Sequence, residues 1–157
     1  MQEILMKLEA LDLDVSSYEC DHIAYRTTTK KEFEAMVEEF SKLGKKLPDA
    51  IIRSRIVSVF KLYKPLVIGS YTIPAIELLE PAEEDKFRSG LEHAEFIVNA
   101  DLEEFSKQNE SLNWNKQDLD REISPELGLA IDENLGVKFH NIPILEARKI
   151  QVSSGKL

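Results

Sequence analysis

The sequence is poor in cysteine, in long apolar runs and in positive charge. Cys20 is the single cysteine among 157 residues, which excludes an internal disulfide framework and fits a reducing cytoplasm. No apolar run approaches the roughly 20 residues that cross a bilayer, and the segment from Met1 lacks the basic start of a signal peptide. The net charge of −9 argues against nucleic-acid binding, because no basic patch offsets phosphate repulsion. We therefore expect a cytoplasmic protein that binds neither nucleic acid nor membrane.

The overall composition is that of a globular protein. Apolar residues make up 43% of the chain and charged residues 31%. A chain of this length forms one ordinary domain, or two small units that share a core. We predict a single domain over residues 1–157.

An acid followed by histidine occurs twice, each time near the start of a strand-like run. The first pair is Asp21-His22 and the second is Glu92-His93. The two copies lie a little under half the chain apart, and each precedes a helix-like segment and three further strand-like runs. The remaining histidine, His140, lies in the last of these runs. The repeat indicates two matching halves, each with a histidine on its first strand.

The pattern predicts two βαβββ modules, over residues 20–81 and 90–146, after a short N-terminal helix. In the first module Thr29 is expected to cap an amphipathic helix that ends at Gly44. A second helix is expected up to about Gln108, followed by a loop to residue 118. An acidic segment, 82–88, is predicted to link the modules. The predicted strands are 20–26, 47–53, 56–62 and 71–80, then 91–98, 119–124, 127–132 and 137–142.

The polar side chains of these strands share one face, opposite the face that a helix covers. In the first strand Ile23 and Tyr25 form the apolar face, whereas His22 and Arg26 lie on the other. If the two sheets curl toward each other, the polar side chains converge on one cavity. The same alternation adds these residues to the polar face: Glu77, His93, Glu95, Lys138 and His140.

Three imidazoles and one carboxylate on the polar face form a candidate metal site: His22, Glu77, His93 and His140. This mixture of ligands suits zinc, nickel, iron(II), cobalt or manganese better than calcium or magnesium. The spacing contains no local metal-binding motif, so the ligands meet only through folding. The alternative is a metal-free cup in which the histidines are held by hydrogen bonds.

Paired βαβββ modules with histidine on the first strand of each resemble the vicinal oxygen chelate superfamily, which includes glyoxalase I and the extradiol dioxygenases. The resemblance implies an α+β fold, in which the modules form an incomplete, cup-shaped mixed β-barrel with helices on the outside. It also implies a divalent metal bound between the modules by His22, Glu77, His93 and His140, although the superfamily's last strand often ends on glutamate. Four stretches are similar to the YecM protein family, over about residues 4–146: DHIAYR (21–26), FKL (60–62), EHAE (92–95) and VKFH (137–140).

The leading hypothesis is a divalent-metal enzyme that acts on a small oxygenated, anionic molecule by lyase, isomerase or dioxygenase-like chemistry. Glu95 is the candidate general base, and Arg26 and Lys138 are candidates for binding the substrate. For these three residues the alternative is an ion-pair cluster that lines the barrel. The competing function is a non-catalytic metal- or small-ligand-binding protein on the same scaffold.

Two further expectations follow from the candidate site. Both modules are present in one chain, so a monomer is sufficient to form one site. Imidazoles bind metal only when neutral, so we expect metal loss as the pH falls through about 6.

Overall fold

The first half of the chain contains the two helices predicted for it, and its strands differ from the prediction in their bounds. The computed structural model describes residues 1–81 and 87–157. The strand expected over 47–53 is limited to Ala50–Ile52, an additional short strand, Gly44–Lys46, precedes it, and the next strand extends to Ile68 instead of ending at residue 62. The elements in chain order are α1 (Gln2–Ala10), β1 (Glu19–Arg26), α2 (Lys30–Leu43), β2 (Gly44–Lys46), β3 (Ala50–Ile52), β4 (Arg55–Ile68) and β5 (Tyr71–Leu79).

The second half departs from the prediction between its helix and its last two strands. Its elements are β6 (Gly90–Ile97), α3 (Leu102–Gln108), β7 (Trp114–Asn115), β8 (Leu127–Ala130), β9 (Gly136–His140) and α4 (Ile144–Ser153). The strand predicted over 119–124 is absent from the described residues, because backbone N–H groups of Arg121 and Glu126 turn back to the carbonyl of Asp118. Most of the predicted linker, residues 82–86, lies outside the described part of the chain.

The strands form one mixed sheet that is not closed into a barrel. Their order is β2-β4-β5-β1-β6-β9-β8-β7, with β3 paired to β4. At the centre β1 and β6 are antiparallel, and each has a parallel strand on its other side, β5 beside β1 and β9 beside β6. The predicted α+β class and the incomplete barrel are therefore confirmed, with the repeated acid–histidine pairs on its two central strands.

Helices cover the apolar face of each half of the sheet. Phe33 and Phe40 of α2 pack with Phe60 and Leu78, and Thr29 caps this helix by accepting a hydrogen bond from the Glu32 backbone N–H. A second core joins α1 and α3 to the other half through apolar residues that include Ile4, Leu8, Phe96, Phe105 and Phe139. The opposite face is left for the polar side chains. Among the described residues, no helix is both long enough and apolar enough to cross a membrane.

Candidate metal centre

Two β-bulges at the seam between β1 and β6 position the repeated acids. Cys20 pairs with Phe96 and His22 pairs with Glu95, so Asp21 has no partner across the seam. On the opposite strand Glu92 likewise has no partner, because its neighbours Leu91 and His93 pair with Tyr25 and Ala24. A bulge turns two consecutive side chains toward the same side of the strand. Each acid therefore lies beside the histidine that follows it.

These carboxylates fix the orientation and the tautomer of two imidazoles. Oδ1 of Asp21 lies 3.0 Å from Nδ1 of His22, and Oε1 of Glu92 lies 3.2 Å from Nδ1 of His93. An ionised carboxylate only accepts hydrogen bonds, so Nδ1 of each ring carries a proton and donates it. In a neutral ring Nε2 then presents a lone pair to the interior of the cup. Nε2 of His22 is buried and has no hydrogen-bond partner among the described residues.

Two further carboxylates approach the same Nε2 atoms. Ala24 of β1 pairs with Glu77 on one side and with His93 on the other, which aligns these side chains in one row across the sheet. Oε1 of Glu95 lies 2.9 Å from Nε2 of His93 and 3.3 Å from Nε2 of His22, and Oε2 of Glu77 lies 3.6 Å from Nε2 of His93. One ligand atom from each of the four side chains lies within 4.8 Å of the others. His22, Glu77, His93 and Glu95 are therefore a buried set of four possible ligands.

The local charges oppose the effect of burial on the pKa values of these groups. Burial alone would lower the pKa of His22, but the charges of Glu95 and Asp21 raise it well above the ordinary value. Burial and Lys138 both lower the pKa of His93, whereas hydrogen bonds to Glu92 and Glu95 raise it by more. Burial would raise the pKa of Glu95, but the charges of Lys138 and His22 hold it well below its usual range. The cluster therefore attracts positive charge, as protons or as a metal ion.

His140, predicted as a ligand, is placed differently from the other two histidines. Its Nδ1 lies 2.7 Å from the carbonyl oxygen of Ile142, and its Nε2 lies 3.0 Å from Oδ1 of Asp21. Both partners are acceptors, so a proton on each ring nitrogen satisfies both contacts. Nε2 of His140 also lies 3.6 Å from Oε2 of Glu95, and His140 forms a second set of possible ligands with Asp21 and His22. The His140 ring centroid is 5.9 Å from that of His22, so it lies next to the four-ligand set as the partner of Asp21.

The strand register makes Lys138, rather than His140, the counterpart of Glu77. In the first half His22 pairs with Ala75, two residues before Glu77. In the second half His93 pairs with Gly136, two residues before Lys138. The ammonium group of Lys138 lies 2.9 Å from Oε1 of Glu95 and 3.1 Å from Oε2 of Glu126. At this position the second half has a cation where the first half has a carboxylate.

Both residues predicted to bind an anionic substrate are engaged in ion pairs. Lys138 contacts Glu95 and Glu126, as described above. Arg26 donates to Oε2 of Glu92, and its guanidinium carbon lies 4.4 Å above the centre of the Phe87 ring. This is the ion-pair arrangement that the sequence left open as an alternative. Arg26 therefore supports Glu92, and through it His93.

The four possible ligands face open space on two sides. A cavity of about 490 Å³ is lined by His22, Glu77 and Glu95, and a second of about 340 Å³ by Glu77 and His93. The first is bordered by α4 and by the 118–126 segment, and both include the ion pair between Arg53 and Asp118. A small molecule in either cavity would reach the ligand set.

Several residues of the site were not singled out in the sequence. Asp21 and Glu92 carried a usable signal, because each directly precedes a repeated histidine, but an unbulged strand would turn them to the opposite face. Glu126, with an oxygen buried in the cluster, follows the turn that was predicted to be a strand over 119–124. Arg148 lies in α4, beyond the last predicted strand, and only folding brings it to the first cavity.

Several solved structures share the fold of this protein. A structural-genomics protein, EC4020, superimposes with a TM-score of 0.80 at 21% identity, covering 96% of this chain and 86% of that one. Methylmalonyl-CoA epimerase from Streptomyces coelicolor, in complex with 2-nitronate-propionyl-CoA, superimposes with a TM-score of 0.57 at 15% identity, covering 78% of this chain and 96% of that one. At these identities the likeness concerns the fold alone, which is a glyoxalase-like fold.

Sequence comparison identifies the family. An uncharacterized protein of Haemophilus influenzae is 28% identical over 88 residues, which are 56% of this chain and 46% of that protein. The match therefore spans less than half the length of this relative. The profile of the YecM protein family matches residues 1–147. The chain belongs to the YecM family.

Proposed function

We propose that this protein is a divalent-metal-dependent enzyme of the vicinal oxygen chelate type that acts on a small oxygenated, anionic substrate. In this proposal the metal ligands are His22, Glu77, His93 and Glu95. His140 is not a ligand but holds Asp21, and Glu95 is a ligand instead of a separate base. The borderline metals zinc, nickel, iron(II), cobalt and manganese suit this set of two nitrogens and two oxygens.

One observation carries the proposal: two imidazole Nε2 atoms of fixed tautomer point at two buried carboxylates. When both rings are neutral, a lone pair faces a negative oxygen at 2.9 Å in the His93–Glu95 pair and at 3.3 Å in the His22–Glu95 pair. This arrangement is repulsive unless a cation lies between the groups. A proton on each ring is one solution, and a single divalent ion shared by all four side chains is the other.

The remaining residues of the site orient the ligands and balance their charge. Asp21 and Glu92 hold the two imidazoles with Nε2 directed inward, as carboxylates commonly do for metal-binding histidines. Lys138 offsets the charge of Glu95 and Glu126. A bound metal would supply Lewis-acid polarisation of adjacent substrate oxygens, which stabilises negative charge that develops next to a carbonyl.

The cavities favour an enzyme over a non-catalytic metal-binding protein. A purely structural metal site is closed, with its four ligands shielded from any substrate. Here three of the four possible ligands border a cavity of about 490 Å³, which is large enough for a small organic molecule. A ligand-binding protein on the same scaffold remains the competing proposal, and turnover distinguishes the two.

Metal content of untagged protein tests the ligand assignment. We expect about one divalent ion per chain by elemental analysis and native mass spectrometry. The variants His22→Ala and Glu77→Gln should lose the ion at micromolar metal, whereas Glu34→Gln, at an exposed position of α2, should retain it. His140→Ala distinguishes the present assignment from the four-residue set expected from the sequence, because it should still bind one ion at saturation. Equal metal content in the wild type, His22→Ala and Glu77→Gln would refute the site.

A further inference from the structure

Arg148 is a buried arginine whose environment lacks the partner that such a group usually has. It lies on α4, is only 4% exposed, and lines the same cavity as His22, Glu77 and Glu95. Its one hydrogen bond to a described residue is from Nη1 to Oε1 of Gln151, at 3.1 Å on the same helix. No carboxylate of the described residues lies within 4.0 Å of its guanidinium group.

The other cations that border this cavity are already paired. Arg53 contacts Asp118, Arg121 contacts Glu126, and Lys156 contacts Glu122. A buried guanidinium group without a carboxylate is unfavourable, because burial removes hydration that nothing replaces. Burial accordingly lowers the pKa of Arg148, although nearby acids act in the opposite direction. Arginine is nonetheless cationic throughout the physiological pH range, so Arg148 brings to the cavity a positive charge that no described carboxylate contacts within 4.0 Å.

The surroundings of Arg148 favour a ligand with one negative charge at this point. The acids Glu77, Glu95 and Glu126 line the same cavity as Arg148. These acids would repel the two charges of a phosphate group more strongly than the one charge of a carboxylate. The planar fork of arginine also matches a carboxylate with two parallel hydrogen bonds.

We infer that Arg148 binds the carboxylate of the substrate, and that the substrate is a small carboxylic acid with a second oxygen function directed at Glu77 and the other possible metal ligands. This inference rests on the proposed function and adds the substrate class to it. Because Arg148 and Glu77 line the same cavity of about 490 Å³, one small molecule can place its carboxylate at Arg148 and its second oxygen function near Glu77. Small hydroxy, oxo and dicarboxylic acids meet this requirement.

Calorimetric titration of the metal-loaded protein tests the inference. The probes are malate, 2-oxoglutarate and lactate, with dimethyl malate as an uncharged analogue and glycerol 3-phosphate as a phosphate analogue that has no carboxylate. We expect at least one of the three acids to bind and the ester not to bind. Arg148→Gln should weaken binding of that acid on the order of 30-fold, since it removes one partner of a buried charge pair. Lys149→Gln is the matched control, because it removes the same charge from an exposed position of α4 and should change affinity less than about twofold.

A stability measurement separates ligand binding from a structural role. Removing a buried, unpaired charge should leave the Tm of the ligand-free protein unchanged or raise it. A large fall in Tm for Arg148→Gln would show instead that the residue supports the fold, and would overturn the inference. Unchanged acid binding in Arg148→Gln, no binding of any acid to the wild type, or preference for glycerol 3-phosphate would overturn it too. Failure of the wild type to bind metal would refute the proposed function itself, whereas these outcomes with metal bound would refute only the role of Arg148.

Discussion

Glu77 and Lys138 occupy equivalent positions in the two halves of the molecule, each two residues beyond the partner of a repeated histidine. The carboxylate of Glu77 approaches Nε2 of His93, whereas the ammonium group of Lys138 binds Glu95 from the side. The pseudo-symmetry of the fold is therefore broken by charge at one position. Lys138 supplies a fixed cation next to the site where we propose that a second cation binds.

Replacement of Lys138 should increase the dependence of the protein on metal. In Lys138→Met the carboxylates of Glu95 and Glu126 lose a buried partner, so the Tm of the metal-free protein should fall by roughly 5 °C. The rise in Tm on adding metal should be larger than in the wild type, because the ion then has more negative charge to neutralise. Differential scanning calorimetry with and without chelator measures both values. Lys138→Arg, which keeps the charge, should resemble the wild type, and an equal metal-induced rise in all three proteins would contradict the expectation.

The metal-free protein should become less stable as the pH rises above neutrality. The pKa of His22 and the pKa of His93 are raised in the folded state, so the folded protein binds more protons than the unfolded one in this range. Their contribution is fully present below the unfolded pKa of about 6.5 and is lost as the pH rises through the higher folded pKa. Saturating metal should abolish this decrease in stability with pH, because the bound ion takes the place of the protons on the two imidazoles. Tm values between pH 6 and pH 9, with chelator and with metal, provide the measurement.

The same shifts change the pH at which metal should be released. Protons compete with the ion for Nε2, so a raised pKa makes the competition begin above the value of about 6 expected from ordinary histidines. Metal affinity should therefore already be falling as the pH drops through 7. An affinity that stays constant down to pH 6 would be inconsistent with these two ligands.

The bulged acids should control metal affinity without contacting the ion. Asp21→Asn and Glu92→Gln each replace a carboxylate, which only accepts, by a neutral amide, which can also donate and so no longer fixes the imidazole tautomer; each should weaken metal binding about 10- to 100-fold. Asp21→Asn should also lower the Tm, since Oδ2 of Asp21 accepts a hydrogen bond from the backbone of Ile144 at the start of α4. Competition with a chromogenic chelator measures the affinity, with Glu34→Gln, an exposed position of α2, as the control. Affinities within twofold of the wild type would show that the bulges do not orient the ligands.

Cys20 should be inert in the folded protein. Its side chain is 1% exposed, and burial, assisted by the charge of Asp21, raises its pKa to about 12. Thiolate is the reactive form, so iodoacetamide at pH 8 should leave the native thiol unmodified over hours. Mass spectrometry should show complete modification after unfolding in guanidinium chloride. Rapid modification without denaturant would mean that the seam between β1 and β6 opens.

Alternation along the strands was sufficient to assign side chains to faces but not to fix their positions across the sheet. Lys138 and His140 lie two residues apart on β9 and therefore on the same face, so the pattern alone does not distinguish them. The pairing of Gly136 with His93 makes that distinction, and it is a tertiary contact. Glu77 was predicted as a metal ligand from the alternation along its strand and from the family resemblance. Its Oε2 lies 3.6 Å from Nε2 of His93.

The features that the sequence did not predict depend on contacts between distant segments. The bulges at Asp21 and Glu92 arise from the pairing of β1 with β6 and have no local signature such as glycine. β7 forms around Trp114, whose ring packs on Phe105 and Phe139, in a segment that is otherwise polar. α4 has only Ala147 and Arg148 buried, so its apolar periodicity is too weak to mark a helix.

The seam between β1 and β6 divides the proposed ligands equally: His22 and Glu77 come from the first half of the chain, and His93 and Glu95 from the second. An ion held by all four would cross-link strands far apart in the sequence and close a long loop, much as a disulfide does, in a chain whose single cysteine cannot form one internally. The metal-bound protein would then require more force to separate its two halves than the metal-free protein. Without the ion, unfolding under force would begin with the separation of β1 from β6.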